Sequence, residues 1–203
     1  MVVRVLSASC KRSGYTVIDK ISFELSSGQI GLISGSNGSG KTSLLRMVAG
    51  LIPLTSGNLL FSPSIDQNSE HSDGLFLLGH SLAIKDDISP EEDIKFWSSL
   101  LGRGYHEDVL LMAGLSNLKK IPCKYLSQGQ KQRLGIARLI ASNKSLWLLD
   151  EPTSSLDKTA SLLLKEIIEK HTKSGGIALI SSHINFLDKT DIKIDLDSNN
   201  VSS

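Results

Sequence analysis

Ile30-Gly31-Leu32-Ile33-Ser34-Gly35-Ser36-Asn37-Gly38-Ser39-Gly40-Lys41-Thr42 is the stretch that decides the fold. Ile30 to Ser34 reads as a short buried strand, and it runs straight into a glycine-rich loop, Gly35 to Gly40. From Lys41 the period turns helical, with Leu44, Leu45 and Val48 on one face. Gly50 is a suitable C-cap and Pro53 prevents continuation. The loop fits G-x-x-x-x-G-K-[ST] in full, between a strand and a helix, which is the context that gives the motif its meaning. Glycines let the backbone curl until successive N–H groups point into one concavity, and the helix start adds a positive dipole end. Lys41 is expected to offset β- and γ-phosphate charge, and Thr42 to offer its hydroxyl to Mg²⁺.

Two further stretches extend this reading. Leu146-Trp147-Leu148-Leu149 is a continuous apolar run, as in a parallel strand buried on both faces, and it ends in Asp150-Glu151. Such a strand end puts Asp150 at the carboxyl edge of the sheet, where α/β proteins bind ligands. Asp150 is expected to hold Mg²⁺, and Glu151 to accept a proton from an attacking water or to orient it. Leu126-Ser127-Gln128-Gly129-Gln130 opens another helix, with Ser127 and Gln130 spaced as a capping box. Its free N–H groups, the Ser127 hydroxyl and the small Gly129 make a second anion site. The Gly35–Thr42 loop already serves the chain's own phosphates, so the second site is expected to serve another subunit's.

Outward from these motifs, strands and helices alternate. Val3, Val5 and Val17 to Leu25 carry β-branched residues between Ser-Gly turns. Ser62 to Gly74 is polar and reads as a loop or hairpin excursion, and Leu75 to Leu78 as a buried strand. Ser89-Pro90-Glu91-Glu92 is a capping box with proline at the first helical position. An apolar stripe follows, Ile94, Trp97, Leu100 and Leu101, stopped by Gly102, and a second helix is expected over His106 to Ala113. These two helices are not interleaved with strands and read as an inserted arm, about residues 81–130 of a single domain spanning 1–203. Asp157 is a good N-cap for a helix carrying Ala160, Leu163, Leu164, Ile167 and Ile168, and Ile177 to Ile180 is another buried strand. The tail after Asp188 reads as short and polar. Strand–helix–strand alternation implies an α/β fold with a mostly parallel core sheet flanked by helices, plus an antiparallel N-terminal β part.

Composition excludes several classes of function. Among 203 residues, 22 Lys and Arg face 21 Asp and Glu, too even a balance for a nucleic-acid coat or a polybasic membrane patch. Cys10 and Cys123 form neither a disulfide framework nor a zinc pattern. No apolar run reaches the roughly 18 residues of a spanning helix. Direct membrane insertion is therefore not expected, and a membrane role would need a partner.

Taken in order, these motifs resemble those of ATP-binding cassette (ABC) ATPases over nearly the whole chain, Ser127-Gln128-Gly129-Gln130 standing for the family's signature with Gln128 in place of its central glycine. Ser155-Leu156-Asp157 is similar to the family's D-loop, and Ile180-Ser181-Ser182-His183 to its switch-histidine strand. The resemblance implies ATP and Mg²⁺ as cofactors. It also implies a head-to-tail pair of nucleotide-binding subunits, each ATP lying between one P-loop and the other's signature. Ser43, Ser127, Gly129, Gln130 and Asp157 would then join Gly35 to Thr42 around nucleotide, with Lys41, Glu151 and His183 catalytic. His80 stands where most of the family has Gln, and could still bridge a water. Tyr15 is the nearest candidate for a base-stacking aromatic, whereas Trp97 and Trp147 lie on apolar patterns and read as core.

Leu78-Gly79-His80, Ile84-Lys85, Ser89 with Glu92, and Phe96-Trp97 further resemble the ATP-binding subunits of cytochrome c maturation systems, with Asp93 where those more often carry Asn. That resemblance implies a peripheral subunit on the cytoplasmic face of the inner membrane. It would dock onto integral membrane subunits of the maturation complex and power haem export or delivery to a periplasmic haem chaperone. Other small ABC transporters and soluble ABC-type assembly factors share the core motifs.

Overall fold

The computed structural model describes residues 1–62, 74–101, 105–106, 108–184 and 186–202. Gly102 and nearly all of the Ser62–Gly74 excursion lie outside them. The chain divides into two compact units.

The first unit comprises residues 1–79, 144–152 and 167–203. Strands β1 (Val2–Arg12), β2 (Tyr15–Ser26) and β4 (Ser56–Ser62) form an antiparallel sheet in the order β2-β1-β4. Ser13 and Gly14 both take positive φ, 50° and 85°, the two-residue turn whose twist suits a hairpin, and they set Arg12 opposite Tyr15. Val3, Val5, Ile21, Phe23 and Leu25 turn inward.

The second sheet of this unit has six strands. β5 (Leu75–Leu78), β6 (Leu146–Asp150), β7 (Ile177–Ser181), β3 (Ile30–Ser34), β8 (Ile192–Asp195) and β9 (Asn200–Ser202) lie in that order. All the pairs are parallel except β8 with β9. Every residue of β6 and β7 is buried, as parallel strands covered on both faces require. Helix α1 (Lys41–Val48) follows β3 and buries Leu44, Leu45, Met47 and Val48 in the core of this unit. The stretch after Asp188 is not a plain polar tail. Ile194 pairs through β8 with β3 and is buried, and the chain returns as β9.

The second unit comprises residues 80–143 and 153–166, more chain than the expected arm at about 81–130. It holds α2 (Pro90–Leu100), α3 (Asp108–Met112), α4 (Gln128–Ser142) and the first part of α5 (Lys158–Lys173). Both capping boxes form. Ser89 Oγ accepts from Glu92 N at 3.3 Å and Ser127 Oγ from Gln130 N at 3.2 Å, while each partner side chain accepts the cap N–H at 2.8 Å. Ile94, Val109, Leu110, Leu115, Cys123, Leu126 and Leu134 form its core. Burial there pushes the Cys123 thiol up to about 11, so it stays protonated.

The α2 stripe is not the expected one. Pro90, Asp93, Ile94 and Ser98 are buried, whereas Leu100 is 63% exposed. The reason is an ion pair. Arg138 on α4 grips Asp93 twice, Nε to Oδ2 at 2.7 Å and Nη2 to Oδ1 at 2.5 Å, with both side chains under 5% exposed. Its Nη1 donates to the Leu82 carbonyl, and the guanidinium lies 5.0 Å from the Trp97 ring centre.

Candidate functional site

In the first unit, the carboxyl ends of β3, β6 and β7 converge on a cavity of about 380 Å³. It is lined by Asn37, Gly38, Gly40, Lys41, Thr42 and Ser43 from the loop and α1, by Asp150, Glu151 and His183 from the strand ends, and by Arg12 and Val17 from the β1–β2 hairpin. The loop takes the curl its glycines allow, with φ of 144° at Gly35, 88° at Gly38 and 107° at Gly40. At Gly40 a Cβ would meet the Val17 carbonyl at 3.0 Å, so the hairpin touches the loop at this point. Lys41 is buried, and its ammonium donates to the carbonyls of Gly35 at 2.9 Å and Ser36 at 3.0 Å. Ser36 leans away from the cavity, where its N–H and hydroxyl both bond the Asp197 carboxylate, at 2.8 and 2.9 Å. Ser39 lines a smaller neighbouring cavity of about 180 Å³.

The acidic end of the cavity is held by strand register. β6 and β7 pair in parallel with Asp150 opposite Ser181. Ser181 Oγ donates to Asp150 Oδ1 at 2.8 Å and accepts the Glu151 N–H at 3.0 Å. Thr42 Oγ1 donates to the same carboxylate, at 2.9 Å to Oδ2. Glu151 itself sits in the left-handed region, φ 49°, a conformation that costs a non-glycine residue about 1–3 kcal/mol and that strand ends at functional sites retain. Its Oε1 lies 3.2 Å from His183 Nε2 and 3.9 Å from Lys41 Nζ. An acid, an imidazole and an ammonium thus meet around one oxygen. Thr42 and Asp150 offer hard oxygen donors side by side, suited to Mg²⁺, which usually takes one or two carboxylates and fills the rest of its shell with phosphate oxygens and water.

The second unit holds the other expected residues. Ser127, Gly129, Gln130 and Asp157 line one cavity of about 350 Å³ together with Arg133, Ser155 and Leu156. Asp157 accepts the Ala160 N–H at 2.7 Å as the N-cap of α5, and Arg133 pairs with it at 3.3 Å. Gly129 fits closely, since a Cβ there would meet the Ser155 carbonyl at 3.0 Å, tighter than ordinary contact. His80 lies in the same unit on a different cavity of about 460 Å³, with Gln128, Lys131 and Gln132.

Tyr15 is 79% exposed and lines none of these cavities. Trp147 is buried in β6 with its ring stacked flat on His171, centroids 3.7 Å apart, and Trp97 is half-buried beside Arg138. Ser181, Arg12 and Asp197 join the first cavity or its loop without any local motif. Only strand pairing brings them there.

The family model for ABC transporters matches residues 18–154. The chain is an ABC transporter ATP-binding protein. As an ABC ATPase subunit it binds ATP and works with membrane subunits. It is 37% identical to the cytochrome c biogenesis ATP-binding export protein CcmA of Pseudomonas fluorescens, over 90% of this chain and 89% of that one. It is 36% identical to the protein of the same name from Aliivibrio fischeri, over 95% and 97%. The corresponding figures for Cereibacter sphaeroides are 37%, 91% and 83%. Among solved structures, a Pyrococcus furiosus chain described as an ABC transporter ATP-binding protein superposes with a TM-score of 0.86 at 24% identity, covering 98% of this ABC ATPase and 99% of that chain. An ATP-binding subunit of an ABC transporter superposes at 0.85 and 19%, covering 96% and 85%. These two speak for the fold alone. Among the described residues no helix is long and apolar enough to cross a membrane.

Proposed function

We propose that this ABC ATPase is the ATP-hydrolysing subunit of a membrane complex in c-type cytochrome biogenesis, powering haem export or delivery to a periplasmic haem chaperone. Similarity to CcmA along nearly the whole length of both chains carries this reading. The subunit would sit peripherally at the cytoplasmic face of the inner membrane, against integral subunits of the maturation complex.

Within that reading, the loop from Gly35 to Ser43 cradles the phosphates of ATP, and Lys41 swings from the Gly35 and Ser36 carbonyls to the β- and γ-phosphates. Thr42 and Asp150 would hold Mg²⁺, which when bound offsets charge developing on the transferred phosphoryl group. Glu151 orients the attacking water and takes its proton, and His183, 3.2 Å away, steadies that carboxylate and reaches the γ-phosphate side. A second copy, arranged head to tail, presents Ser127, Gly129, Gln130 and Asp157, the capped start of α4 meeting the γ-phosphate with its positive dipole end. His80 takes the place of the usual glutamine and bridges a water with its imidazole.

The test is a mild-detergent pull-down of the tagged chain from native membranes, with partners identified by mass spectrometry. Haem-handling subunits of the maturation system are the expected partners. Recovery of an unrelated permease, or a chain that remains in the soluble fraction, would overturn the biogenesis role and leave the ATPase.

A further inference from the structure

From the hairpin side of the P-loop cavity we infer that Arg12 is the platform on which the nucleobase lies, its planar guanidinium taking the place of an aromatic ring. The inference rests on ATP binding at the P-loop. One wall of that cavity is the phosphate cradle, Asn37, Gly38 and residues 40–43, and the other is the hairpin, which contributes Arg12 and Val17. The hairpin meets the loop at Val17, whose carbonyl and Cγ1 would lie 3.0 and 3.1 Å from a Cβ placed on Gly40. Arg12 pairs with Tyr15, two residues further out. At strand rise that is about 7 Å beyond the contact with the loop. Phosphates held against the loop leave the nucleoside to extend along this wall, so Arg12 meets the base and not the phosphate tail.

The chemistry of Arg12 agrees with its place. Among the described residues its guanidinium has no ion pair, hydrogen bond or ring contact, although Arg4 on the same strand pairs with Glu24. Tyr15, the nearest aromatic, is turned to solvent and does not line the cavity. A guanidinium plane stacks on aromatic faces, is weakly hydrated and is always charged. Every base has a π-face, so a stacking cation discriminates little between adenine and guanine.

The test is calorimetric titration of the purified full chain with three probes in Mg²⁺: ATP, GTP and inorganic tripolyphosphate. Arg12→Ala should weaken ATP and GTP alike, about 3- to 30-fold, and leave tripolyphosphate unchanged. Arg12→Tyr should restore both nucleotides. The inference is overturned by unchanged ATP affinity in Arg12→Ala, by an equal loss of tripolyphosphate, by a loss confined to ATP, or by an Arg12→Tyr chain as weak as Arg12→Ala. Lys41→Ala serves as the separate control, since it should lose tripolyphosphate and nucleotides together. Retained tripolyphosphate binding in that variant would instead refute the P-loop reading on which this one stands.

Discussion

Breaking the buried Asp93–Arg138 pair should destabilise the helical unit strongly. Asp93 and Arg138 are 2% and 3% exposed, and each carboxylate oxygen receives one guanidinium N–H. Removing one partner leaves the other charged and buried, which costs about 3–5 kcal/mol. That is a large share of the 5–15 kcal/mol typical of a domain. Asp93→Leu should show this loss, and Arg138→Met about 1 kcal/mol more, because the Leu82 carbonyl also loses its donor. The double variant Asp93→Leu/Arg138→Met buries two apolar side chains in place of the pair and should recover most of the stability. Urea unfolding followed by fluorescence separates the outcomes. Trp97 stands beside the guanidinium and reports this unit once Trp147, in the other unit, is replaced by Phe. Single variants that lose under 1 kcal/mol, or a double variant as weak as the summed singles, would refute a coupled, desolvated pair.

Glu151→Gln should retain ATP affinity while slowing turnover by about 10²–10⁴-fold, measured as phosphate release; unchanged turnover would remove Glu151 from the chemistry. Gly40→Ala forces a side chain into the left-handed region against the Val17 carbonyl. It should cost about 1–3 kcal/mol, read as a fall in Tm of about 2–4 °C per kcal/mol, and an unchanged Tm would contradict the contact. Burial holds the His171 imidazole below its ordinary value of 6.5. The folded state therefore resists protonation, so stability is full above that value and falls as the pH drops through it toward the folded pKa. A thermal scan from pH 7.5 to 5 should show the decline, and His171→Phe, which keeps the stack on Trp147, should flatten it; a variant with the same slope would place the titration elsewhere.

What was legible in the sequence was what neighbours in the chain decide. The P-loop, both capping boxes and the fully buried β6 and β7 are local patterns, and the chain adopts them. Three features were hidden because their cause lies far off in sequence. The buried face of α2 turns toward Asp93, since Arg138, 45 positions on, satisfies its charge. β8 carries only Ile192 and Ile194 as apolar residues, too few to announce a strand, and it forms because β3 offers an open edge. Ser181 joins the acid pair through strand register, which no spacing within one strand reveals.

The position of β3 also sets a timetable. This strand is made early but is flanked by β7 and β8, the former starting roughly 140 residues later. At ordinary synthesis rates Ile30 to Ser34 waits about 7–30 s on the ribosome with neither edge covered. During that interval the P-loop has nothing behind it, and the apolar strand is a template for pairing with any other nascent chain. Nucleotide can help only once the last quarter of the protein has emerged, so the binding site is a late product of translation, and the hazard to be guarded against is aggregation before it, not failure after.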